Sequence, residues 1–306
     1  MSSEGGTRAV VAALAANLGI GVTKFVAFAL TGASSMLAEA IHSVADSGNQ
    51  VLLLVGGRRA RKEATEEHPF GFSRYRYYYA FLVAVVLFSL GGLFALYEAW
   101  HKFQHPEPIE SWRWVPIVVL VVAMVLEGLS FRTAVRESNL VRGSAGWAQF
   151  IRTSRSPELP VILLEDFGAL VGLACALVGV SLTLVTGNGM WDAGGTAAIG
   201  LLLVAIAGVL ARETREMLLG ESATEDDIAL IRSGLAQAGF PDVIHLRTMH
   251  LGPDDVLVTV KVAAGADETL AEIASRTNAA EALIRASVPA ARLIFIEPDI
   301  RHQGAP

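Results

Sequence analysis

Cysteine is almost missing. The 306-residue chain has one, Cys175, which excludes an intrachain disulfide and a thiolate metal cluster within a single chain. Charge is scarce too: Asp, Glu, Lys and Arg make up 18% of the residues and hydrophobic types 53%, where a soluble domain carries about 25% charged residues. No basic block stands against the net charge of −6, so a cationic protein that coats nucleic acid is excluded. The chain has no G-x-x-x-x-G-K loop to cradle a nucleotide phosphate. H-E-x-x-H and G-x-S-x-G are absent as well, and with them two common hydrolase layouts. MSSEGGTRAV holds a single basic residue ahead of a long apolar stretch, so no cleaved signal peptide is expected.

What is present is apolar sequence in long runs. A bilayer span needs about 20 mostly apolar residues, and six stretches meet that need: Ala9–Leu30, Met36–Gly57, Tyr77–Trp100, Trp114–Phe131, Leu159–Thr186 and Trp191–Ala211. Lys and Arg collect in two of the connecting loops. One carries Arg58, Arg59, Arg61, Lys62, Arg74 and Arg76, the other Arg132, Arg136, Arg142, Arg152 and Arg155. Basic loops stay on the cytosolic side, so both termini are expected there, in the inner (cell) membrane. Trp100, Trp112, Trp114 and Trp191 then fall at the opposite interface, where aromatic rings anchor.

After Arg215 the composition becomes that of a soluble domain, which sets the expected division at 1–215 and 216–306. TEDDIALIRSGLAQAGF reads as a helix with Thr224 as N-cap and Gly239 near its end. Two strands follow, VIHLRTMHLG and DVLVTVKVAA, joined by a turn at LGPDD, with Val256, Val258, Val260 and Val262 alternating to one side. A second helix carries Leu270, Ile273, Thr277, Ala280 and Ile284 on one stripe and stops before Pro289, and RLIFIEP forms a third strand. The fold class is therefore an α-helical membrane protein: six transmembrane helices, then a small cytosolic α+β domain of order αββαβ. That order suggests a small antiparallel sheet with helices on one face, ferredoxin-like.

Within the second span, AIHSVAD places His42 and Asp46 four residues apart, hence on one helix face. A carboxylate at mid-bilayer costs about 2.5–3.5 kcal/mol on insertion scales. Something must offset it. In the fifth span Glu165 and Asp166 interrupt another apolar run, and counting from the cytosolic ends puts Asp46 about 16 Å deep and Asp166 about 13 Å deep. Acids at one depth in neighbouring helices repel unless a cation or protons lie between them. Two readings stand: metal or proton handling, or a structural arrangement in which His42 bonds Asp46 and Lys24 of the first span pairs with Glu165 or Asp166. Neighbours on a helix diverge by about 100°, so only one of Glu165 and Asp166 can aim fully at a common centre. His42, Asp46 and Asp166 would suit Zn2+ and tolerate Co2+, Fe2+ or Mn2+, and protons would compete with the metal for those groups. Asn17, Glu98 and Glu127 are further polar residues within spans and candidates to line a pathway; Glu98 and Glu127 fall near predicted ends, where interfacial or helix-pairing roles stand equally. Gly168, Gly172 and Gly179 have the spacing of close helix packing.

The H-x-x-x-D pair, the acids of the fifth span, HPFGFSR between spans two and three, and the αββαβ tail together resemble the cation diffusion facilitator family. SMLAEAIHSVADSGNQ, LLEDFGALVG and LRTMHLGPDDVLV are most similar to the branch containing zinc transporter nine of animals. The resemblance implies a homodimer whose tails pair and which exports a divalent metal, usually Zn2+, from the cytosol in exchange for protons. No prosthetic group is implied; the metal is cargo. It also implies that His42, Asp46 and Asp166 are ligands, while Ile162 stands where a fourth is usual. Water, Glu165, Glu39 or Asn49 is then left to complete the set. His68 matches a loop histidine that binds metal in some members, but Phe72 replaces its partner. In the tail, Ile244 and Val260 replace histidines of some relatives, Glu297 lies near where others have ligands, and His245 and His250 read as strand or surface residues. The rival classes are an intramembrane metalloenzyme and a metal-responsive scaffold; a transporter whose main substrate is Mn2+, Fe2+ or Co2+ is the nearest alternative.

Overall fold

The computed structural model describes the backbone of residues 2–31, 34–106 and 114–300, with side chains described throughout except at 2–6, 8, 27, 28, 30, 31 and 34–42. The chain divides into two compact units. One is built from the chain up to Arg59 together with Tyr75–Arg215, the other from Ala60–Arg74 together with the chain from Glu216 onward.

The first unit is helical. It contains α1 (Ser2–Thr31), α2 (Ser34–Ala60), α3 (Tyr75–Val86), a π-helical segment (Leu87–Leu93), α4 (Phe94–Gln104), α5 (Trp114–Val141), the short α6 (Trp147–Thr153), α7 (Glu158–Thr186) and α8 (Met190–Leu219). Among the described residues five stretches are long and apolar enough to cross a bilayer: Ala9–Val26, Tyr75–Gln104, Trp114–Val141, Glu158–Thr186 and Met190–Leu219. The third predicted span is thus one rod made of α3, the π segment and α4. α2 occupies the place of the second predicted span as a 27-residue helix, but Ser43, Asp46, Ser47, Asn49 and Gln50 break up its apolar run. α5 continues past the expected end at Phe131 to Val141. Arg132, Arg136 and Glu137 end the apolar pattern there without ending the helix, since adding one residue to a formed helix is easy compared with starting one.

α1, α5 and α7 pack on one another. Leu53, Ala80, Val83, Ile162, Leu203 and Leu210 belong to one buried cluster. α7 stops at Gly187, whose φ of 70° suits a left-handed cap and lets its N–H reach Thr183 O at 2.8 Å. Small residues bring α7 and α8 together. A Cβ on Gly168 would lie 2.5 Å from Ile206 Cδ1 and one on Gly179 2.8 Å from Trp191 O, so these glycines serve packing. The π segment does the same on the other side of α8, where Gly92 leaves room for Val204.

The second unit begins its regular structure at α9 (Glu225–Gln237), which Thr224 caps by accepting the Asp227 N–H at 3.1 Å. β1 (Val243–Gly252), β2 (Asp255–Ala263), α10 (Leu270–Ser287) and β3 (Leu293–Asp299) follow, and α10 opens with a capping box between Thr269 and Glu272. The sheet has the order β1-β2-β3. β1 and β2 are antiparallel, but β2 and β3 are parallel, so the expected antiparallel sheet is a mixed one. A helical crossover, α10, returns the chain to the end where β2 began, and β3 therefore runs in the same direction. Val256, Val258, Val260 and Val262 form the buried face with Ile231, Leu235, Phe240 and Ile284. Leu270, expected on the buried stripe of α10, is 81% exposed because it sits at the first helical position, outside the contact with the sheet.

The loop Ala60–Arg74 belongs to this unit. Ser73 Oγ donates to the Asp255 carboxylate, Arg74 Nη2 donates to Met249 Sδ at 3.4 Å, and Gly252 has no Cβ where one would collide with Ser73.

Candidate metal centre in the helical unit

α2 is amphipathic in the inverted sense. Its buried face carries Ser43, Asp46, Ser47, Asn49 and Gln50, while Val44 is 54% and Val51 46% exposed. α5 repeats the pattern, with Glu127 and Ser130 buried and Val125 and Leu129 exposed, and α7 buries Glu165 and Asp166 while exposing Phe167. In water such helices would turn over. Valine outside and carboxylate inside is stable only where the surroundings are apolar and the interior supplies partners.

The partners are specific. Asn49 Nδ2 donates to Glu165 Oε1 at 2.8 Å and Gln50 Nε2 donates to Glu165 Oε2 at 2.9 Å, joining α2 to α7. Gln50 Oε1 in turn accepts from Asn17 Nδ2 of α1 at 3.2 Å. Ser130 Oγ of α5 donates to Asp166 Oδ2 at 2.7 Å. Lys24 Nζ of α1 donates to Ser43 Oγ of α2 at 3.0 Å. The divergence of neighbouring side chains on α7 is thus resolved: Glu165 turns to α2 and Asp166 to α5. Asp46 lies one turn before Asn49 and Gln50 on the same side of α2. Asp46, Glu127, Glu165 and Asp166 each lie within electrostatic reach of the other three.

The structure therefore gathers Asp46, Glu165 and Asp166, three of the four sequence-predicted site residues, into one polar interior. His42 lies on α2 four residues before Asp46; its side chain, like that of Glu39, lies outside the described residues. Among the described residues no three His, Cys, Asp or Glu side chains converge closely enough to hold a metal ion. Ile162 is fully buried in the apolar cluster.

Ser130 is the residue that sequence reasoning missed, and Glu127 was named as a pathway candidate without being placed in the site. Glu127 was expected near a helix end, but the extension of α5 to Val141 puts it mid-helix and buried. A usable signal existed: Glu127, Ser130 and Ala134 fall at helical spacing on the one buried side of α5.

Elsewhere His68, His245 and His250 have ordinary surroundings. The His68 ring lies 4.6 Å from the Phe72 ring. His250 is buried with Nδ1 3.2 Å from Gly252 O, His245 is exposed on β1, and Glu297 pairs with Lys261 at 3.2 Å.

Helices long and apolar enough to span a bilayer, with acids buried between them, define a polytopic membrane protein with a polar interior. A family model described as the cation efflux transmembrane domain matches residues 10–219. The chain belongs to the cation efflux family, the family its motifs resemble, and is an integral multi-pass membrane protein. It is similar to the "Proton-coupled zinc antiporter SLC30A9, mitochondrial" of Homo sapiens, 35% identical over 207 residues, which is 67% of this chain and 36% of that protein. The protein of the same name from Xenopus laevis is 34% identical over 208 residues, 67% of this chain and 37% of that protein. "Zinc transporter ZitB" of Escherichia coli is 23% identical over 253 residues, 82% of this chain and 74% of that protein. The match thus spans just over a third of the length of the antiporters.

Proposed function

We propose that this chain is a Zn2+/H+ antiporter that exports the metal from the cytosol through an intramembrane site made by His42, Asp46 and Asp166. The observation that carries the reading is the set of four carboxylates, Asp46, Glu127, Glu165 and Asp166, buried among α1, α2, α5 and α7 within electrostatic reach of one another. Four acids at such range in a low-dielectric interior cannot all stay ionised without a compensating cation or bound protons. A divalent ion and protons are thereby alternatives for the same groups, and exchange of one for the other is transport coupled to a proton gradient. The relatives named as proton-coupled zinc antiporters support the same cargo and coupling.

His42 and Asp46 supply one nitrogen and one oxygen from α2, and Asp166 supplies an oxygen from α7. Water fills the place at which Ile162 offers no ligand. Glu165, with each oxygen held by an amide, ties α2 to α7 and joins the ligands when those bonds open. In this reading α2 is the sixth span, the basic loops and both termini face the cytosol from the cell membrane, and the αββαβ tail pairs two copies.

The test is uptake of Zn2+ into liposomes against a proton gradient, with Mn2+, Fe2+, Co2+ and Cd2+ run in parallel. Metal uptake with proton counterflow is expected, and Asp46→Ala or Asp166→Ala abolishes both. A proton leak that needs no metal, with no ion uptake, removes the antiporter reading.

A further inference from the structure

The rod of α3, the π segment and α4 begins beside Arg74 and Arg76; its other end carries two histidines that the transport site does not use. His105 is the C-cap of α4: its φ of −131° has left the helical range, but its N–H still donates to His101 O at 3.0 Å, which holds the two residues one turn apart. Both are exposed. Their ring centres are 5.2 Å apart with the planes inclined by 33°. Two imidazoles on one tetrahedral zinc, with Zn–N bonds of about 2.0–2.1 Å, keep their ring centres about 5 Å apart. The spacing for a shared ion is already present, and rotation about the side-chain bonds is all that chelation requires.

The electrostatics of this end favour a cation. The last carbonyls of α4 concentrate partial negative charge here. Glu98, three residues before His101, adds a carboxylate on the same face without being a third ligand. The adjacent cation, Lys102, is taken up by Asp192 of α8, Nζ to Oδ2 2.9 Å.

We propose that His101 and His105 form a surface site for a divalent transition metal at the end of the rod remote from the basic loop, separate from the buried carboxylates. Two neutral nitrogen donors completed by water select borderline ions such as Zn2+, Co2+, Ni2+ and Cu2+ over Mg2+ and Ca2+, which take oxygen ligands. Such a site meets metal on the side of the bilayer opposite the loops that carry Arg58–Arg76.

The experiment uses the full chain in detergent, stripped with chelator, in an Asp166→Ala background, so that its outcome does not depend on whether the protein is an antiporter. Zn2+ bound at equilibrium is counted with and without His101→Ala/His105→Ala, and the loss of one equivalent is expected. A relocation variant, Phe103→His with His105→Ala, keeps the number of histidines but sends the two rings to different sides of the helix; the same loss is expected. Cu2+ added as a spectroscopic probe should give an electron paramagnetic resonance pattern of two equatorial nitrogens that both variants abolish. An unchanged Zn2+ count, retention of the equivalent by the relocation variant, or a one-nitrogen Cu2+ pattern overturns the proposal.

Discussion

Replacing Glu165 in two ways separates its charge from its hydrogen bonds. Glu165→Gln and Glu165→Leu both remove the buried carboxyl group, so the desolvation cost of that group cancels in the comparison. What differs is the fate of two amides. With leucine, Asn49 Nδ2 and Gln50 Nε2 each lose an acceptor now 2.8 and 2.9 Å away. With glutamine one oxygen remains for Gln50, and the new NH2 group faces Asn49. Asn49 Oδ1 has no partner among the described residues, so turning its amide over lets that oxygen accept the new donor. Hydrogen bonds between membrane helices contribute about 0.6 kcal/mol on average and up to about 1.7. Two of them make Glu165→Gln more stable than Glu165→Leu by about 1–3 kcal/mol. The measurement is unfolding by increasing sodium dodecyl sulfate in mixed micelles, compared between the two variants. A leucine variant as stable as the glutamine variant would refute the argument that Glu165 ties α2 to α7.

Three further outcomes follow from the geometry. Arg76 and Glu158 form a two-point ion pair, 10% and 9% exposed, with Nη2 to Oε2 at 2.9 Å; Glu158→Gln leaves the guanidinium half-paired and lowers stability by about 3 kcal/mol in the same unfolding assay. Gly252→Val pushes a side chain into Ser73, an overpacking that costs about 1–3 kcal/mol, and trypsin cleaves between Arg61 and Arg74 faster than in the parent protein. In the second unit the Gly265 N–H and the Arg276 guanidinium hold the Glu268 carboxyl below its ordinary value of 4.5, and the Thr269 N–H and hydroxyl do the same for Glu272. A carboxyl depressed in the folded state stabilises above its unfolded pKa and loses that contribution as pH falls through the folded one. The calorimetric melting temperature of this unit therefore drops as pH is lowered from about 5 toward 3, and Glu268→Gln with Glu272→Gln flattens the drop.

The apolar runs made five spanning helices legible, because length and hydropathy suffice when the solvent is lipid. The depth argument for Asp46 and Asp166 was legible for a related reason: rise per residue is fixed in a helix. Rotation about the helix axis is not fixed by sequence in that way. The sequence limits Glu165 and Asp166 to diverging directions, but which of them meets α2 depends on how α7 is turned against α2 and α5. The mid-helix position of Glu127 was hidden by the basic residues that follow Phe131, which mask the continuation of α5. The direction of β3 was lost because a strand's own pattern of alternation is the same in parallel and antiparallel pairing. The place of Ser73 beside Asp255 rests on residues far apart in the chain, and nothing local in HPFGFSR announces it.

Because Ala60–Arg74 folds with the tail, the second unit is a discontinuous module, stitched to the helices at Arg59, at Tyr75 and again at Arg215. A single backbone cut at the last junction would leave the tail retained by its grip on the loop. A chimera that imports residues 216–306 from a relative would inherit a foreign seat for Ser73. Grafting the two pieces together, loop and tail from one donor, is the exchange this architecture permits.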